Sequence, residues 1–140
     1  MQKLKIIKII VLVILPCFLL CACWDVDPYK GKRPIDYPNS YWVCEEEYDM
    51  FFLVGEDQEL TDAKITIYGQ TVPCKFIWRT TNNRINIVFD IDSQTYGMSG
   101  RCKFGKKKFT INIEYEDSSE EGPVIEFERR TLEEYLADHG

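Results

Sequence analysis

The chain has 140 residues, with 17 basic and 23 acidic side chains and a formal net charge of −6 at pH 7. Nucleic-acid phosphates are bound mainly by lysine and arginine, so we do not expect nucleic acid as a partner of so acidic a chain. Its length allows one small domain with one hydrophobic core.

The first 22 residues have the features of a secretory signal peptide. Three lysines at the start precede an apolar run over residues 9–20, which only Pro16 interrupts. A basic region followed by an apolar region of this length is typical of exported proteins. A transmembrane helix is the less favoured alternative, because roughly 20 apolar residues are needed to cross a bilayer.

The end of this segment, Leu20-Cys21-Ala22-Cys23, resembles the lipobox of bacterial lipoproteins. That motif has an apolar residue, a tolerant position, a small residue and then the cysteine that is lipidated. The resemblance implies cleavage after Ala22 and a lipid anchor on Cys23, since choosing Cys21 would put Leu20 at the small position. Two or three acyl chains anchor a protein stably, so we expect the extracytoplasmic face of a cell membrane.

Removal of the signal leaves 14 basic and 23 acidic residues, a net charge of about −9. Residues 23–38 contain Pro28, Pro34 and Pro38 together with Gly31, which disfavour regular structure. We interpret this segment as a Pro-rich tether between the membrane and a domain over residues 39–130. The large side chains of Tyr29 and Tyr37 leave room for part of it to pack on that domain.

Apolar and polar residues alternate through most of this domain, which predicts β-strands. Short turn signals separate the strands at fairly even spacing. Many short antiparallel strands in sequence form a meander, and closure of a meander removes its exposed edges. The predicted fold is therefore all-β, a small closed up-and-down barrel of about eight strands at residues 41–45, 49–54, 62–68, 71–80, 84–91, 98–104, 107–116 and 124–130.

Three turns predict how neighbouring strands pair. A turn at Gly69-Gln70 would place Ile65 opposite Cys74. A turn at Asn82-Asn83 would place Phe76 opposite Phe89, and one at Gly105-Lys106 would place Cys102 opposite Phe109. The apolar residues then share one face at each hairpin, and a shift by one residue would break this agreement.

A crowded set of apolar side chains is expected to point inward. A barrel of about eight strands has room for side chains or for one small ligand, so this set predicts a filled interior. At the first strand we favour Trp42 over Val43 as the inward residue. The predicted inward residues are Trp42, Met50, Phe52, Ile65, Ile67, Phe76, Trp78, Ile87, Phe89, Phe104, Phe109, Ile111 and Phe127.

The organisation resembles lipocalin-like or avidin-like barrels. The C-terminal half, with GRCKFGKKKFTINI followed by VIEFERR, also resembles small uncharacterised lipoproteins of Gram-positive gut bacteria. This resemblance implies a fold and a location but no activity.

No catalytic motif is evident, so we do not expect an enzyme or a cofactor. His139, the single histidine, stands next to the C-terminus, where it is poorly placed for a catalytic pair. The acidic runs 45–47 and 120–121 are interpreted as solvated turns. Residues 90–97, DIDSQTYG, have alternating oxygen ligands but lack the later glutamate of a calcium loop, so we interpret them as a turn.

Cys44, Cys74 and Cys102 remain in the domain after removal of the signal. In the predicted register they are too far apart for a disulfide, so we interpret them as small buried hydrophobes. A zinc site formed by the three thiols is the least favoured alternative, and we expect no metal.

The last ten residues, 131–140, predict a short helix. Thr131 and Glu134 form a capping box, and Leu132, Tyr135 and Leu136 recur at helical spacing. So short a helix persists only when its apolar stripe is docked. The outer face around Ile77 and Val88, or an open end of the barrel, would be the docking site, and a frayed tail is the alternative.

These features favour a non-enzymatic binding or structural module, monomeric, with the membrane and an unidentified extracytoplasmic macromolecule as partners. One alternative is a carrier of a small apolar ligand inside the barrel. Another is an inhibitor of a cationic secreted enzyme such as lysozyme.

Overall fold

The computed structural model describes residues 27–45, 48–115 and 121–140. The predicted fold is confirmed: eight antiparallel strands follow one another around a closed barrel, and a short helix ends the chain. The strands are β1 (Tyr41–Cys44), β2 (Asp49–Val54), β3 (Leu60–Ile67), β4 (Gln70–Trp78), β5 (Arg84–Ile91), β6 (Gln94–Lys103), β7 (Lys108–Glu114) and β8 (Glu121–Arg130). The helix, α1, spans Leu132–His139.

Aromatic rings fill the centre of the barrel, as the alternation of the strands predicts. Phe109 and Phe127 stack with ring centroids 4.7 Å apart, and Phe52 lies 4.7 Å from Phe76. Every predicted inward residue is in this core or packed against it. Trp42 and Cys44 on β1 are fully buried, which confirms the choice of Trp42 at the first strand.

The predicted register of the β3–β4 hairpin is wrong by two residues. The turn is Tyr68-Gly69, where both residues have positive φ, 51° and 73°, as in the two-residue turns that match strand twist. Ile67 therefore pairs with Gln70, and Ile65 pairs with Val72 instead of Cys74. A shift of two residues leaves each side chain on its predicted face, so the apolar pattern could not detect the error.

The next two predicted registers are also two residues off. Phe76 pairs with Ile87, and Cys102 pairs with Ile111. Their connections are longer than the predicted two-residue turns. The stretch 90–97 is mostly strand, because Asp92 and Ser93, with φ of 50° and 67°, make the whole turn and β6 begins at Gln94.

Residues 27–38, within the expected tether, lie against one end of the barrel. A 3₁₀ helix, Pro34–Asp36, has Pro34 buried. Tyr29 packs edge-on against Phe104, and Tyr37 lies near Trp42. The two tyrosines that suggested partial packing therefore contact the domain.

The C-terminal helix forms, with the predicted capping box: the Thr131 hydroxyl accepts from the Glu134 N–H at 3.1 Å. Its predicted docking site is wrong. Tyr135 packs on the outer face of β1 and β2, where Tyr41, Val43 and Phe51 are buried beneath it. Of the predicted stripe only Tyr135 docks, while Leu132 and Leu136 remain exposed. The outer face of β1 and β2 offers four apolar side chains, those of Tyr41, Val43, Phe51 and Leu53, whereas the predicted site offered two.

Candidate functional site

A groove opens in the barrel wall between β3 and β4. The ladder between these strands covers only the pairs from Ile67 with Gln70 to Lys64 with Pro73. Beyond Pro73, β4 pairs with β5 from Cys74 to Trp78, while β3 continues to Leu60 with β2 alone. The strands diverge there and leave a groove of about 870 Å³.

The change of partner occurs at a proline. Pro73 is the last residue of β4 paired with β3, and Cys74 is the first paired with β5. Proline has no N–H to donate, and a proline within a strand is typical of an edge or a break in pairing. This residue was the signal in the sequence that could have indicated the groove.

A β-bulge shapes the opposite rim. Leu53 pairs with Asp62 but Val54 pairs with Leu60, so Thr61 is an extra residue in β3. Gly55 packs closely beside it, because a Cβ there would lie 2.7 Å from the Thr61 Cγ2 and the threonine side chain would have to shift. Bulges bend a strand locally, and this one lies in the part of β3 that does not pair with β4.

The N-terminal segment closes one end of the groove through a buried arginine. The Arg33 guanidinium donates to both carboxylate oxygens of Asp27, at 2.6 and 3.0 Å. Its Nη2 also donates to the carbonyls of Arg79 and Asn82, at 2.9 and 3.1 Å. The hydrogen bonds from Arg33 hold the pKa of Asp27 below its ordinary value. This arrangement fixes the segment to the end of β4.

The groove lining is largely apolar, and two of its residues carry unsatisfied donors beneath the surface. Ile35, Leu60, Ala63 and Ile77 contribute to its walls. Two further lining residues carry a buried N–H without a partner, the Nε of Arg33 and the Nε1 of Trp78. Buried polar groups are normally satisfied, so these two donors are exceptions in the packing beneath the groove.

The two rims of the groove differ in charge. Lys75 on β4 and Arg79, the first residue after it, are exposed and flank Ile77, whose side chain is 49% exposed. On the β3 side Asp62 accepts from the Tyr135 hydroxyl at 2.7 Å, which connects α1 to this rim and raises the pKa of Tyr135. The β4 rim is thus basic in a chain that is acidic as a whole.

The Cys74 thiol lines the groove but is a poor nucleophile. Burial, together with the charge of Asp62, raises its pKa to about 12. Burial likewise raises the pKa of Cys102 to about 12. Both are free thiols in the core. The thiolate is the reactive form, so at neutral pH these cysteines act as small hydrophobes, as the sequence indicated.

A second polar cluster joins Tyr41 to the end of α1. The Tyr41 hydroxyl lies 3.0 Å from the His139 Nε2 and donates to Asp138 at 3.2 Å. Burial and the contact with Asp138 raise the pKa of Tyr41, which disfavours a phenolate. The frayed tail that the sequence left as the alternative for this segment is therefore not observed, since the His139 ring docks the helix.

The other predicted positions do not meet in one place. Cys23 lies outside the described residues, as do positions 46, 47 and 120. Glu45 pairs with Arg130 at 3.0 Å on the outer surface. Among residues 27–45, 48–115 and 121–140, no group of three or more histidine, cysteine or acidic side chains could hold a metal ion.

Comparison of the chain with family models, curated proteins and solved structures finds no match. Within the described part of the chain, no helix has the length and apolar character needed to span a bilayer.

Proposed function

We propose that this protein is a lipoprotein, anchored through Cys23 to the extracytoplasmic face of a membrane, whose barrel is a non-enzymatic binding module. The observation that carries the proposal is the groove between β3 and β4, with its apolar walls and the charged side chains along its rim. Concave, mostly apolar sites with a few polar groups are typical of binding sites.

The packing of the interior supports a site in the wall of the barrel. Phe52, Phe109 and Phe127 are fully buried and in mutual ring contact at the centre. A ligand there would have to displace side chains from a well-packed core, which costs free energy. The closed eight-strand meander supports a lipocalin-like organisation, with the binding surface moved from the lumen to the wall.

The anchor would hold this groove near the membrane. Asp27 lies on the groove rim, four residues after Cys23. An extended link of this length spans at most about 13 Å. A partner at or near the membrane surface therefore suits the site.

A second candidate function is a carrier of a small apolar ligand, held in the groove and not in the lumen. The apolar walls formed by Ile35, Leu60 and Ile77 favour it. Both candidate functions use the same groove, and they differ in whether a macromolecule or a small molecule occupies it.

In-cell photo-crosslinking tests the proposal. A photoreactive residue would replace Ile77 in the groove or, as a control, Val124, an outward residue of β8 that is 58% exposed. We expect discrete adducts from position 77 and none from position 124 in the bacterium that makes the protein. The same products from both positions, or none from position 77, would contradict a binding role for the groove.

A further inference from the structure

Among residues 27–45, 48–115 and 121–140, no strand pairs with the edge of β4 that faces the groove. In an antiparallel sheet, successive residues direct their N–H and C=O alternately to the two neighbouring strands. The Arg79 N–H donates to the Arg84 carbonyl across the β4–β5 hairpin, at 3.1 Å. Residues 75 and 77 therefore also face β5, while Phe76 and Trp78 direct their N–H and C=O towards the groove.

The β3 strand does not reach these groups. Its last pair with β4 is Lys64 with Pro73, and from Ala63 to Leu60 it pairs only with β2. Two strand edges thus face each other across the groove, with an apolar floor between them. An edge with unpaired backbone groups is a template for another strand.

We propose that the groove binds an extended, acidic peptide segment of another protein, which adds to β4 as a strand. This inference rests on the proposed function of the groove and names its ligand class. In strand addition, main-chain hydrogen bonds provide affinity and alternate side chains provide specificity. Here Phe76 and Trp78 would exchange hydrogen bonds with two residues of the incoming strand.

The charge of the rim specifies the side chains of that segment. Lys75 and Ile77 lie at alternate outward positions of β4, and Arg79 continues this alternation directly after the strand ends. Cross-strand neighbours on one face interact directly. The incoming strand is therefore acidic, apolar and acidic at successive outward positions. Its inward residues are apolar, because they lie beside Phe76 and Trp78.

A short synthetic peptide with this pattern provides the probe. We would label acetyl-Thr-Glu-Val-Ile-Val-Glu-Thr-amide with fluorescein and titrate it with the full-length protein in detergent micelles, following fluorescence anisotropy. One control peptide has lysine in place of both glutamates. The other control peptide is N-methylated at the two valines, which are the inward residues that would pair with Phe76 and Trp78. It keeps every side chain but loses the two backbone N–H groups that would donate to β4.

Two double variants separate rim charge from overall charge. The double variant Lys75→Glu with Arg79→Glu reverses the charge of the β4 rim. The double variant Lys103→Glu with Lys107→Glu makes the same change in net charge at exposed residues away from the groove. We expect N-methylation or the rim variant to weaken binding of the acidic peptide by about tenfold or more, and the matched variant to leave it unchanged. Amide exchange at Phe76 and Trp78 should slow when the peptide binds.

Equal binding of the N-methylated peptide, or equal weakening by both double variants, would overturn strand addition. So would absence of binding at millimolar peptide, or a switch of the protein to dimers through the same edge. A third outcome would assign the groove to a small apolar ligand. In that case the protein would bind cis-parinaric acid saturably but not the peptide, and Ile77→Glu would abolish the binding of cis-parinaric acid. If the peptide does not bind but position 77 still forms crosslinks in cells, the proposed binding function stands and only the peptide ligand is refuted. If the peptide does not bind and position 77 forms no crosslinks, both the ligand and the binding function are refuted.

Discussion

His139 stacks on Phe51, with ring centroids 4.0 Å apart and planes inclined by 22°. The histidine also lies within hydrogen-bond distance of the Tyr41 hydroxyl. This contact joins the last turn of α1 to the outer face of the first two strands. It explains how an eight-residue helix, far too short to persist alone, is held in place.

Replacement of His139 by alanine should therefore destabilise the whole domain. An aromatic contact of this kind contributes about 1 kcal/mol, which corresponds to a fall in Tm of about 4–8 °C for a domain of this size. Leu136→Ala, in the same helix but at a side chain that does not stack on the barrel, is the matched control and should leave Tm nearly unchanged. Equal shifts for the two variants in thermal unfolding would show that His139 contributes nothing specific.

Arg33→Met should lower the free energy of unfolding by about 2–4 kcal/mol, because several hydrogen bonds from a buried charged group are lost together. The side chain joins Asp27 to the carbonyls of Arg79 and Asn82, so its loss detaches the N-terminal segment from the end of β4. Urea unfolding measures the change. Lys32→Met, at the exposed neighbouring position, should have little effect, and a similar loss there would refute the structural role of Arg33.

Tyr68→Asn should stabilise the protein. Tyr68 has φ of 51° in a two-residue hairpin turn, and its side chain is 88% exposed, so the ring gains little there. Asparagine tolerates positive φ better and precedes glycine in the preferred hairpin turn, for a gain of about 0.5–1 kcal/mol. Tyr115→Asn, at an exposed tyrosine without positive φ, should not stabilise. A lower urea midpoint for Tyr68→Asn would contradict the turn assignment.

The buried thiols should make stability fall at alkaline pH. The pKa of Cys102 is raised from 9.0 to about 12 in the folded protein, so above pH 9 the unfolded chain loses this proton while the folded chain keeps it. The stabilising effect is complete below pH 9 and is lost as pH rises, by at most about 1.4 kcal/mol per pH unit for one thiol.

Comparison of variants isolates this effect from other groups that titrate in the same range. The destabilisation caused by Cys102→Ala should be smaller at pH 10.5 than at pH 8 by about 1–2 kcal/mol. Ile111→Val, a core change without a titratable group, should cost the same at both pH values. A cost of Cys102→Ala that does not change with pH would show that the thiol titrates normally.

The lipid anchor is tested at Cys21 and Cys23, the two cysteines of the lipobox-like motif. Cys23→Ser should release the protein from membranes or leave its signal uncleaved, because the acyl chains attach through this thiol. Cys21→Ser is the matched control and should remain anchored, since Cys21 would be removed with the signal. Detergent partitioning measures both, and continued membrane association of the Cys23 variant would refute the lipobox interpretation.

The sequence alone was sufficient to predict the strands, their inward faces and the capping box of α1. Each depends on the local period of apolar residues or on a short motif such as Thr131 to Glu134. It could not determine the register, because a shift of two residues keeps Ile65 facing inward whether it pairs with Val72 or with Cys74.

Only the tertiary structure decided the groove and the docking site of α1. The groove arises where β4 exchanges β3 for β5 at Pro73, and pairing between strands is a competition that no single segment determines. The helix docks on the surface around Phe51 and not on the one around Ile77. Its apolar stripe shows only that it should dock, whereas the docking site depends on the apolar area that the other elements expose in the folded chain.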